Sequence, residues 1–332
     1  MIPLQTTSPH PVSHIVFDPA GATSAVAQPH HGVTLLERPT GRTIAVCAMP
    51  RRAALSGLTF CGDGKYLAAS HAKGMDVFDA ATGASVGSTH YRAYRDLRLA
   101  ENGSGVLGAN RDGMRIVWKP GAAEGTGFTQ EVISRRGEFD VLSPDGRFAI
   151  RNVSPSYIEL FALNSHRMVN RMIARIDREG RSGRAVGRFC PLGRRVALND
   201  GSAIDVYDTL ALAAEDEDEQ QADNPLVQRA NGTQTAVAPR PHVRLEPTFS
   251  LKPDKASEAG TWYPPFALAA DGRGLLVKRP RNSVQLWDAP TGTLVREWSW
   301  RFEFVTCVAL TTDGLTAVAG GRFGRLLLWD LE

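Results

Sequence analysis

Apolar and polar positions along this chain follow a short rhythm that recurs from end to end. A brief apolar run is followed by three or four turn residues ending in glycine, then by a second apolar run. Clear copies are Leu142-Ser-Pro-Asp-Gly146 before Arg-Phe-Ala-Ile, and Leu268-Ala-Ala-Asp-Gly272 before Arg-Gly-Leu-Leu-Val. Anchored on the last apolar residue before each turn, the copies fall at Phe17, Phe60, Leu99, Leu142, Phe189, Leu268 and Leu310. Four residues beyond each anchor stands a glycine: Gly21, Gly64, Gly103, Gly146, Gly193, Gly272 and Gly314. A second mark follows 18 or 19 residues after each anchor, at Leu36, Phe78, Trp118, Phe161, Tyr207, Trp287 and Trp329. An acidic residue comes next in five copies, as Glu37, Asp79, Asp208, Asp288 and Asp330. Three copies then carry Thr-Gly, at Thr40-Gly41, Thr82-Gly83 and Thr291-Gly292.

Short alternating apolar segments separated by Asp-Gly and Thr-Gly turns predict antiparallel strands joined by hairpins. Aromatic and β-branched residues suit half-buried pleated faces, and glycine supplies positive φ at the turns. The anchors are spaced 43, 39, 43, 47, 79 and 42 residues apart. Four strand-like segments repeating at such a period are the signature of one propeller blade. The expected fold is all-β, a seven-bladed propeller of four-stranded antiparallel blades.

The pairs Trp287-Asp288 and Trp329-Asp330, the weaker Phe78-Asp79 and Tyr207-Asp208, and the Pro-Asp-Gly-type turns resemble the WD40 (WD-repeat) β-propeller family over nearly the whole chain. The Gly-His pair typical of that family is missing, and only Asp112, six residues before Trp118, matches its structural Asp. The resemblance implies a partner-binding face bearing the loops between blades.

After Trp329 only Asp330, Leu331 and Glu332 remain, so the seventh unit lacks its outer strand. Ile2–Thr7 lies 15 to 10 residues before Phe17, the offset of an outer strand, and is expected to close the ring by completing the last blade. Such a clasp removes an open sheet edge. Residues 1–332 are thus expected to form one domain. The long 79-residue interval marks an insertion at 211–262 carrying the acidic run Glu215–Glu219 and scattered prolines. It reads as a surface excursion or a docking loop, and part of it must supply the outer strand of the fifth blade.

Composition narrows the class. The 332 residues are 42% hydrophobic and 22% charged, ordinary values for a globular protein. The net charge of +3 does not by itself call for a nucleic-acid or membrane partner. Cys47, Cys61, Cys190 and Cys307 form no CxxC pair or metal spacing, so reduced thiols and a cytoplasmic location are expected. No stretch approaches the length of an apolar membrane span.

Arginine is unevenly placed. Nine lie between Arg167 and Arg195, over the outer strand of the fourth blade and the loop into the fifth. Arg171, Arg175, Arg178, Arg181 and Arg184 are the candidate partner-binding residues, able to form bidentate bonds with carboxylate or phosphate. The alternatives are a merely solvated loop, or pairing with the Glu215–Glu219 run. Six of the eight histidines fall in the first 90 residues, with His30, His31 and His71 expected in exposed turns. No HxH or HExxH pattern is present, so no metal or other cofactor is expected.

No nucleophile elbow, P-loop or dinucleotide fingerprint occurs. The turn aspartates Asp63, Asp145, Asp271 and Asp313 are explained by Asx-turn hydrogen bonding. The expected function is a non-catalytic protein–protein interaction scaffold, monomeric or part of a hetero-complex, whose inter-blade loop face docks a protein or peptide, an acidic one if the arginines serve. Electrostatic RNA or DNA binding through the Arg-rich loop 167–195 is the alternative. A channel-centred hydrolase or lyase is a further one.

Overall fold

The computed structural model describes residues 2–6, 8–38, 40–50, 55–61, 64–71, 73–89, 95–99, 106–109, 115–120, 128–134, 141–143, 147–154, 157–162, 167–173, 186–199, 201–211, 246–253, 264–279, 282–299 and 304–331.

The chain opens with β1 (Ile2–Gln5). The first sheet then runs through β2 (His14–Phe17), β3 (Thr23–Gln28), β4 (Gly32–Glu37) and β5 (Thr43–Cys47). The second holds β6 (Leu55–Cys61), β7 (Tyr66–His71), β8 (Gly74–Asp79) and β9 (Ser85–Thr89). The third is β10 (Arg95–Leu99), β11 (Val106–Ala109), β12 (Arg115–Pro120) and β13 (Phe128–Ser134). The fourth is β14 (Val141–Leu142), β15 (Phe148–Ser154), β16 (Tyr157–Ala162) and β17 (Arg167–Ile173). The fifth is β18 (Val186–Phe189), β19 (Arg195–Asn199), β20 (Ile204–Asp208) and β21 (Phe249–Leu251). The sixth is β22 (Phe266–Leu268), β23 (Gly274–Arg279), β24 (Ser283–Asp288) and β25 (Thr293–Ser299). The seventh is β26 (Val305–Leu310), β27 (Thr316–Gly321) and β28 (Arg325–Asp330), completed by β1.

Among the described residues each of these seven sheets has four antiparallel strands, and six are meanders of consecutive strands. In the seventh, β1 pairs with β28 in the register Ile2↔Leu328 to Gln5↔Arg325, so the N-terminal segment supplies the strand missing after Trp329. The outer strand of the fifth sheet, unplaced by sequence, is the three-residue β21, paired with β20. It lies inside the expected insertion.

First strands of neighbouring sheets adjoin in five places. β2 lies beside β26 and β6, β10 beside β6, β14 beside β18, and β22 beside β26. The core fills the seams between sheets. Leu35, Phe60 and Phe78 pack between the first and second, Ile204, Phe266 and Leu275 between the fifth and sixth, and Val26, Val318 and Leu326 between the seventh and first. Each such side chain contributes about 1.5–3 kcal/mol on burial. Second strands such as β27, buried at every residue, are rich in Ala and Gly because neighbouring sheets converge there. A Cβ on Gly320 would lie 2.8 Å from Val12 Cβ. Outer strands are the reverse: six of the seven residues of β25 are exposed.

Candidate partner-binding surface

Meander topology gives the assembly two unlike ends. The turn after each first strand and the turn before each outer strand share one end, here the hairpin face. The segments entering each sheet, and the turns between second and third strands, share the other, here the connector face.

On the hairpin face the repeated residues are occupied in holding the structure. The described anchor glycines, Gly21, Gly64, Gly193, Gly272 and Gly314, all have positive φ, between 69° and 90°. Gly272 shows a second reason for glycine, because a Cβ there would lie 2.9 Å from Arg195 Cβ of the preceding sheet. The same pattern holds at Gly64, whose Cβ would lie 3.3 Å from Asp18 Cβ. Arg195 Nη1 donates to the Gly272 carbonyl at 3.1 Å and Leu192 N–H to the Ala270 carbonyl at 3.0 Å. Asp271 and Asp313 accept from the backbone N–H groups of Arg273 and Leu315, the Asx-turn role. Gly103, Gly146, Asp63, Asp145 and Asp112 lie outside the described residues.

The acidic-to-Thr-Gly pattern is a second fastening. Thr40, Thr82 and Thr291 hydroxyls donate to Glu37, Asp79 and Asp288 at 2.8, 2.8 and 2.6 Å. Those bonds hold the Asp79 and Asp288 carboxyls below their usual range, while at Glu37 the larger cause is Arg42. Gly83 and Gly292 then abut the preceding outer strand, with a Cβ falling 3.0 Å from Ala45 Cβ and 2.9 Å from Phe249 Cδ2. Trp329 is buried and meets Trp298 at 5.5 Å between ring centres, whereas Trp287 is half-buried beside Phe249. The backbone of Trp118 pairs with Val106 and Gln130 in the third sheet.

Of the candidate arginines, Arg171 lies on β17 directly opposite Glu159, whose side chain is buried. Arg151 stands opposite Glu159 on its other side, so the register forms an Arg–Glu–Arg row across the fourth sheet. That row follows a register shift between Leu160 and Phe161 and carries no sequence signal. Arg175, Arg178, Arg181 and Arg184, and the run Glu215–Glu219, lie outside the described residues.

Histidines divide by environment. His30, at φ 71°, and His31 sit in the β3–β4 turn as expected, and His31 lies 4.3 Å ring to ring from His10. His71 departs from the expectation. It ends β7, paired with Gly74, and is buried with Nε2 3.0 Å from Asp76. On the innermost strands, burial and then the Arg188 charge push the His14 pKa down to about 4. Arg188 stands over the Phe266 ring at 5.5 Å and also acts electrostatically on Cys307. No three of the described His, Cys, Asp or Glu residues converge as a metal would need, and no described helix is long and apolar enough to cross a membrane.

No family model matches the chain. The Arabidopsis thaliana protein ROOT INITIATION DEFECTIVE 3 is 25% identical over 93 residues, a stretch covering 28% of this chain and only 18% of that protein. The crystal structure of the β-propeller domain of Cps50 (Swd1) from Myceliophteria thermophila superposes with a TM-score of 0.67 at 13% identity, covering 99% of this chain and 98% of that one. The seven four-stranded antiparallel sheets and this whole-length superposition agree that the fold is a WD40-like β-propeller.

Proposed function

We propose that the seven sheets close into one ring, a single domain over 1–332 with 211–262 as an insertion, and that the protein is a non-catalytic scaffold whose connector face docks a protein or peptide partner. The observation that carries this reading is the division of labour between the two faces. The repeated Gly, Asp, Glu and Thr residues of the hairpin face bond to one another and to neighbouring sheets. A residue type recurring in every unit serves the architecture, while a partner site has to be unique within the ring. The Arg-rich segment 167–195 is unique in the repeat, which is what supports placing the partner site on the loop into the fifth blade. Arg175, Arg178, Arg181 and Arg184 would pair with acidic groups of the partner by forked hydrogen bonds. Arg171, opposite Glu159 in the strand register, belongs to the sheet as well as to this group.

The test replaces Arg171, Arg175, Arg178, Arg181 and Arg184 with Ser and compares recovered partners by crosslinking and affinity capture. Loss of partners with an unchanged melting curve supports the site. Full retention of every partner removes it. A ligand whose affinity falls steeply with salt and is competed by oligonucleotide would assign the segment to nucleic acid instead.

A further inference from the structure

Two phenylalanines stand in the open on the connector face of the seventh sheet. Phe304, just before β26, is 62% exposed, and Phe323, in the β27–β28 turn, is 54% exposed. The Arg322 N–H donates to the Phe304 carbonyl at 3.1 Å, which brings the two aromatic positions side by side. The turn beneath them is firmly built. Thr6 donates to the Gly324 carbonyl from its N–H at 3.0 Å and from its hydroxyl at 2.8 Å. Gln28 Nε2 bridges the carbonyls of Ser8 and His10 at 3.0 and 2.7 Å. Gly324, at φ 75°, has no room for a Cβ beneath the Ser8 carbonyl. The surface therefore runs unbroken from Phe304 through Arg322 and Phe323 to the exposed His10–His31 pair of the first sheet.

Its described charges have one sign, Glu303 beside Phe304 lying outside the described residues. Arg322 and Arg325 are exposed, and no Asp or Glu occurs among the described residues of 6–13, 28–32, 304–306 and 320–325. Phe323 and Arg325 each also engage another group of the chain, which anchors them in place while leaving much of their surface open. A lone exposed apolar residue needs no explanation, but paired aromatics with arginine on a pre-formed backbone have the make-up of an interface centre.

We propose that this patch docks an acidic peptide segment of a partner protein bearing one aromatic or leucine side chain. Phe304 and Phe323 receive the apolar side chain, and Arg322 and Arg325 pair with flanking carboxylates. The inference deepens the scaffold reading by giving the partner a chemistry and a second place on the connector face. A peptide fits better than single-stranded nucleic acid, which needs rings spaced along a cationic track. Here the two aromatic positions are neighbours through the Arg322–Phe304 backbone bond, and the chain nearby carries Pro9, Pro11 and the paired histidines rather than further aromatic rings.

The test offers the folded full-length chain an array of short synthetic Glu/Asp-rich peptides with Phe, Trp or Leu at one position, their Lys-for-Glu counterparts, and a fluorescent oligo-dT strand. The chain is used as wild type, as F304S/F323S, as R322E, and with the five Ser replacements described above; melting curves confirm that each is folded. Acidic aromatic peptides should bind wild type, weaken about ten-fold or more with F304S/F323S and R322E, and be replaced by the Lys counterparts on R322E. Absence of peptide binding overturns the proposal. Binding that survives both patch variants but is lost with the five Ser replacements overturns this patch while leaving the scaffold reading standing. Oligo-dT binding lost in R322E, without peptide binding, assigns the patch to nucleic acid and overturns it too.

Discussion

Gly272 faces Arg195 across the seam between the fifth and sixth sheets, so closely that a Cβ on the glycine would fall 2.9 Å from the Cβ of the arginine. Gly314 occupies the equivalent turn of the seventh sheet, with nearly the same φ of 70° but its nearest neighbour, Ala269 Cβ, at 3.9 Å. The two glycines separate backbone strain from crowding. Gly314→Ala should cost about 1–2 kcal/mol, the expense of left-handed backbone. Gly272→Ala should cost clearly more, since the seam must also open. Urea unfolding of both variants measures the difference, and equal losses would show that the seam plays no part.

His14 makes stability depend on pH in a defined direction. Its folded pKa is pushed down to about 4, from an unfolded value of 6.5, by burial and by Arg188. The unfolded chain therefore binds the proton more readily. This contribution is complete above pH 6.5 and is lost as pH falls from 6.5 towards 4, at up to about 1.4 kcal/mol per pH unit. His14→Gln should flatten the urea midpoint over that interval, whereas an unchanged slope would assign the acid sensitivity to other groups.

At the sixth sheet, Asp288 accepts from Thr291 at 2.6 Å and from Arg273 Nε at 2.8 Å. The first bond closes a turn, and the second joins a largely exposed arginine. Asp288→Ala should cost about 1 kcal/mol through the turn, and Arg273→Ala should cost less, because a solvent-exposed ion pair is screened. Chemical denaturation of the single and double variants gives the coupling, and a larger loss in the arginine variant would reverse this ranking.

Burial pushes the Cys47 and Cys61 thiols up to about 12, and Cys307 likewise. The thiolate is the reactive form, so alkylation of these three near pH 8 should be slow in the folded protein and fast in denaturant. Mass spectrometry after brief iodoacetamide treatment reads this directly. Rapid labelling of Cys47 under native conditions would show that the seam between the first and second sheets opens readily.

Much of this architecture was legible because it is periodic. The anchor glycines and the acidic-to-Thr-Gly turns stood at fixed offsets, and the structure gives both a role at the seams. What escaped was whatever happens once. β21 spans only Phe249–Leu251, too short for an alternating pattern to show. His71 was expected in a turn because the β7–β8 hairpin is tighter than the β3–β4 one, so that its side chain turns inward to Asp76. The burial of Glu159 opposite Arg171 depends on register, which composition does not encode. The exposed Phe304–Phe323 pair was equally silent, since nothing in a single aromatic residue says whether it faces a seam or solvent.

The pairing of β1 with β28 sets a constraint in time as well as in space. Strands β2 to β5 can pair among themselves as they leave the ribosome, and so can each later meander. β1 has to wait for β28, hundreds of residues later, and loop closure over that distance is slow. Until then β1 is an unpaired edge, the kind of segment that pairs with the wrong neighbour. The seventh sheet is therefore complete only once β28 has been made and has taken β1 back.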